Sequence, residues 1–109
     1  MKYLEEKIRK NGFDYLLIKK GEKAYIYKQW DDEVDFTVAY EVFKIKIDKE
    51  KEVFGDIMPE REVFPGNEDF GKWAWTYPSL EKAEVRFQRL ENDEDIQDEE
   101  DQILQEDND

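Results

Sequence analysis

Carboxylates are the most abundant reactive groups in this 109-residue sequence, which carries 30 Asp and Glu and no His or Cys. Glu60, Glu62, Glu68 and Asp69 gather around Pro65-Gly66. Two such carboxylates can act as a general acid and base or share a Mg²⁺ ion. With 43% charged residues, however, clusters of this kind arise from composition alone, so a solvated surface is the reading placed first. A second group is aromatic. Phe64, Phe70, Trp73 and Trp75 stand near Arg61, Lys72, Arg86 and Arg89, and rings interleaved with cations can stack on bases while the cations follow phosphates. The competing reading is a hydrophobic core, because Trp73, Trp75 and Tyr77 share strand parity and alternate residues would turn all three inward.

Several chemistries are excluded by residue type. Ser79 is the sole serine, so a Ser-His-Asp triad and a Cys-His pair are both impossible, as are cysteine-based zinc sites. Neither G-x-G-x-x-G nor a Walker-type loop occurs; Gly66 and Gly71 lack that spacing. The expectation is a protein that is not an enzyme and needs no cofactor.

The net charge of -13 is unevenly spread. Positions Asn92 to Asp109 hold ten acids and no Lys or Arg, leaving twenty acids against seventeen basic residues in the body. Such a tail cannot offset its ordering entropy and is expected to be disordered alone. Three roles stay open for it: a solubilising appendage, a docking peptide for a basic partner groove, or a mimic of nucleic-acid charge. For docking, Ile103 and Leu104 would be the apolar anchor and Glu106 and Asp107 the charges beside it.

The elements that must position these residues follow from periodicity. Tyr3, Leu4 and Ile8 ahead of Asn11-Gly12 read as a short N-terminal helix. Phe13 to Ile18 and Ala24 to Trp30 alternate as strands about a turn at Lys20 to Glu22. Val34 to Ile47 is β-prone, but its apolar parity switches between Val42 and Phe43. Either a bulge lies there or the strand is apolar on both faces, and the bulge is the reading favoured. Gly55 and Pro59 interrupt Val53 to Phe64 too often for a central strand. Leu80, Ala83, Phe87 and Leu90 recur at helical spacing behind Ser79 as N-cap, predicting a helix that packs through Phe87. The length suits one hydrophobic core. We therefore expect an α+β domain over 1–91, an antiparallel sheet of about four strands packed against a C-terminal helix, and a tail over 92–109. No signal-peptide pattern or apolar span is visible, so a cytoplasmic protein with no membrane association is expected.

The segment Glu62-Val63-Phe64-Pro65, Phe70-Gly71, Trp75-Thr76-Tyr77, then Ala83 and Phe87, resembles a group of short bacteriophage- and plasmid-borne proteins of no known activity. Tyr40-Glu41-Val42-Phe43-Lys44-Ile45 is similar to that group's preceding strand. The resemblance implies a mobile-element origin, where small accessory proteins often bind host or element proteins. The expected function is thus a non-enzymatic accessory or inhibitory module whose partner is another protein. The alternative is single-stranded nucleic-acid binding through an aromatic face of Phe70, Trp73 and Trp75.

Overall fold

Asn11 and Gly12 both take positive φ, 54° and 83°, the geometry of a tight hairpin turn that matches strand twist. The residues around them therefore pair as strands. The computed structural model describes residues 1–94. In chain order the strands are β1 (Lys7–Lys10), β2 (Phe13–Lys20), β3 (Ala24–Asp31), β4 (Phe36–Lys44), β5 (Ile47–Asp48), β6 (Lys51–Val53), β7 (Asp56–Met58), β8 (Arg61–Glu62) and β9 (Ala74–Tyr77), followed by helix α1 (Leu80–Glu91). The main sheet is antiparallel and five-stranded, in the order β1-β2-β3-β4-β9. The expected N-terminal helix is absent from the described residues. Asn-Gly serves as a hairpin turn instead of a helix cap, and Ile8 pairs with Tyr15 across it.

The apolar parity switch in β4 has the explanation that was not favoured. Val42 and Phe43 are both fully buried and pair in regular register with Ile26 and Tyr25, so the strand is apolar on both faces. The bulge lies instead at Val38, between the pairs Gln29–Ala39 and Trp30–Thr37. A second register shift falls at Ile18 in β2.

Two apolar clusters result, one on each face, where a single core was expected. On one face Ala24, Ile26, Val42, Trp75 and Tyr77 meet Ala83, Phe87 and Leu90 of α1. On the other Tyr15, Tyr25, Tyr27, Phe43 and Ala74 are covered by Leu4, Ile8, Phe64, Phe70 and Trp73. The rings there pack edge to face and stacked, with Tyr27 and Phe43 centroids 5.7 Å apart. Burial raises the Tyr15 and Tyr27 phenols to about 12, with carboxylates nearby as a second cause.

Helix α1 begins as its sequence predicts: Lys82 N donates to Ser79 Oγ at 3.3 Å. Its end uses Asp93 at φ 58°, with Glu94 N donating to Arg89 O at 3.0 Å and Asp93 N to Leu90 O at 3.2 Å. These bonds satisfy carbonyls otherwise orphaned at a helix C-terminus. Residues 92–94, assigned by composition to the tail, thus cap the helix. The Glu91 carboxylate accepts from the backbone N–H groups of Glu22 (3.0 Å) and Lys23 (2.8 Å), fastening the helix end to the β2–β3 turn. A side chain at Gly21 would fall onto that carboxylate and would have to displace it.

Candidate functional site

Beyond β4 the chain leaves the main sheet as a narrow two-stranded ribbon. Its root is β5 with β8, pairing Ile47 with Glu62 and Asp48 with Arg61. Its outer part is β6 with β7, pairing Lys51 with Met58, Glu52 with Ile57 and Val53 with Asp56. Phe54 and Gly55 form the tip at φ 53° and 84°. A left-handed conformation costs a bulky residue about 1–2 kcal/mol, and Asn or Asp is the usual occupant.

Phe54 gains no packing in return. It is 101% exposed, and Ile57, at 69%, is also largely uncovered. Val53 and Met58 are exposed as well. Four exposed apolar side chains thus lie on one hairpin, with the ring at its extremity. Glu52 and Asp56 flank the tip.

An isolated hairpin is marginal in water, so the root must be held. Glu62 holds it. Its carboxylate, 6% exposed, accepts a hydrogen bond from Leu4 N at 2.9 Å and another from the Tyr25 hydroxyl. Lys20 Nζ stands 3.7 Å from its second oxygen. Burial, and next the bond to Glu62, raise the Tyr25 phenol's pKa. The N-terminal segment joins the root through one parallel β-bridge: Lys2 N donates to Glu60 O at 3.0 Å and Glu62 N to Lys2 O at 2.8 Å. A charged, hydrogen-bonded side chain thus ties the ribbon, the N-terminus and β3 together.

Against protein-family models, curated proteins and solved structures, the chain has no match.

The residues singled out from sequence are dispersed. Glu62 is the buried root pin, whereas Glu60 is exposed. Asp69 accepts from Gly66 N at 2.8 Å and so closes the short turn Asn67–Asp69. Among the described residues no group of three or more Asp or Glu is placed to hold a metal ion. The aromatic platform is also divided. Trp75 is 8% exposed on the helix face, where the Arg86 guanidinium lies 4.0 Å from its ring centroid and Arg86 Nε donates to Tyr77 Oη at 2.8 Å. Phe70 and Trp73 pack on the opposite face. The shared parity of Trp73 with Trp75 fails because Gly71, at φ 89°, turns the chain and β9 begins only at Ala74. Ile103, Leu104, Glu106 and Asp107 lie outside the described residues.

Sequence reasoning missed the ribbon. Its signal was a glycine-containing two-residue turn between Val53 and Asp56, obscured when Gly55 and Pro59 were read as interruptions. A second exposed apolar strip, formed by Val34 in the β3–β4 turn with Phe36 and Val38 of β4, lies at the opposite end of β4 from the ribbon.

Proposed function

We propose that this protein is a non-enzymatic protein-binding module, an accessory or inhibitory protein of a mobile element, that docks through its ribbon tip. The observation that carries the reading is Phe54: a bulky residue in a left-handed conformation, fully exposed, on a hairpin anchored by a buried carboxylate. A ring held at such cost contributes nothing to the fold, and aromatic anchors that fill a partner's pocket dominate many protein interfaces. Glu52 and Asp56 beside the ring disfavour insertion into an anionic lipid surface. They suit an apolar cleft with a cationic rim. The burial of Trp75, and its placement on the face of the sheet opposite Phe70 and Trp73, favour this reading over the nucleic-acid alternative.

A photo-crosslinking side chain at position 54, compared with one at exposed Val85 of α1, tests this reading. A discrete protein adduct from position 54 and none from position 85 is expected. Equal or absent labelling at both positions counts against the ribbon tip.

A further inference from the structure

The ribbon root borders an open groove of about 460 Å³ between the N-terminal segment and the strand that follows Pro59. Leu4, Ile8 and Phe64 supply its apolar lining, and Lys2, Lys7 and Arg61 stand among its walls. A phenyl ring fits such a volume with space to spare, since drug-sized ligands occupy sites of roughly 300–1,000 Å³.

Groove and ribbon are contiguous, because Arg61 and Glu62 belong to both. From Asp48 at the root to Phe54 at the tip the ribbon extends roughly 20 Å, at ~3.3 Å per residue. If two ribbons lie side by side and antiparallel about a two-fold axis, each tip falls at the other's root. The same contact is then made twice and the assembly closes, as an isologous dimer requires.

Charge agrees with that placement. The outer ribbon carries Glu52 and Asp56 against Lys51. The groove carries Lys2, Lys7, Arg9 and Arg61 against Glu5 and Glu62, and Glu62 is already occupied by Leu4 N, the Tyr25 hydroxyl and Lys20. Three of the cations have their own partners: Arg61 is 3.6 Å from Asp48, Arg9 3.3 Å from Asp14, and Lys7 3.7 Å from Asp14. All three remain exposed along their side chains and able to meet a second acid.

We infer that the partner of the ribbon tip is a second copy of this chain, Phe54 of each copy entering the groove beside Leu4, Ile8 and Phe64 of the other. The inference rests on the reading of the ribbon as the docking element and names its occupant.

Sedimentation of the full chain from micromolar to millimolar concentration tests it. A monomer–dimer equilibrium that weakens with salt is expected. Phe54→Asp should weaken it roughly thirty-fold or more, as loss of a buried aromatic anchor does. A Lys2→Glu, Lys7→Glu double variant, altered only at exposed positions, should also weaken it. Mixing the two variants should recover part of the association, since one of the two contacts then joins an intact tip to an intact groove while the other carries both changes. A monomer at every concentration overturns the inference, as does a dimer insensitive to Phe54→Asp. Either result leaves the ribbon tip to be judged by adducts to a different protein in the crosslinking comparison.

Discussion

Replacing Glu41 by Gln should stabilise the protein at pH 8 by up to about 3 kcal/mol and leave it nearly unchanged near pH 4. Glu41 sits in β4, 6% exposed, on the face it shares with Phe43. It lies opposite Tyr27 and Thr76, and its Oε1 has no hydrogen-bond partner. Burial raises its pKa from 4.5 to about 7, and the positive charge of Lys10 offsets only part of that. The Glu41 charge in turn helps burial raise the Tyr15 phenol. Because the folded state holds this proton more tightly than the unfolded state, stability is highest below the unfolded value. It declines as pH rises from about 4.5 through about 7. Each tenfold difference in proton affinity is worth about 1.4 kcal/mol, which sets the ceiling. Urea unfolding across this window should show the decline in the native protein and its absence in Glu41→Gln. Parallel curves for the two proteins would place the ionisation elsewhere.

Substituting Glu62 by Ala should cost about 3 kcal/mol, concentrated at the ribbon root. The change strands the Tyr25 hydroxyl, which belongs to a residue with 0% exposure, and releases the Leu4 amide. Each buried group left without its charged partner costs about 1–3 kcal/mol. Hydrogen exchange should accelerate first at the amides of Lys2's partner Glu62 and of Leu4 and Val63, whose bonds build the root. Glu62→Gln keeps an acceptor oxygen and should lose about 1 kcal/mol, by the lower value of a neutral bond. A loss below about 0.5 kcal/mol for Glu62→Ala, within the range of ordinary surface substitutions, would remove the carboxylate from its anchoring role.

Both residues show where the sequence stopped being legible. The helix from Leu80 was readable because Ser79, Ala83, Phe87 and Leu90 each supply a local signal that tertiary context did not overrule. The hairpin from Phe13 to Trp30 was readable by alternation. The N-terminal helix was misread because Asn-Gly ends a helix and turns a hairpin with the same left-handed backbone, and only the pairing of Ile8 with Tyr15 distinguishes them. In β4, alternation failed because both faces are covered, one by α1 and the other by the segment around Phe64 and Phe70, and coverage is a property of distant chain. Glu62 read as one carboxylate among thirty, since nothing local reveals that Leu4 and Tyr25 converge on it. Phe54 was hidden for the opposite reason. An apolar residue is taken for core unless the structure leaves it bare.

The central claim is that Phe54 is held at the ribbon tip for a partner and against the interest of the fold. Its most direct test is the unfolding free energy of Phe54→Asn. Asparagine tolerates the left-handed conformation and exposes no ring, so the variant should be more stable than the native protein by about 0.5–1 kcal/mol. A variant destabilised by about 1 kcal/mol or more would show that the ring supports the fold, and would contradict the account.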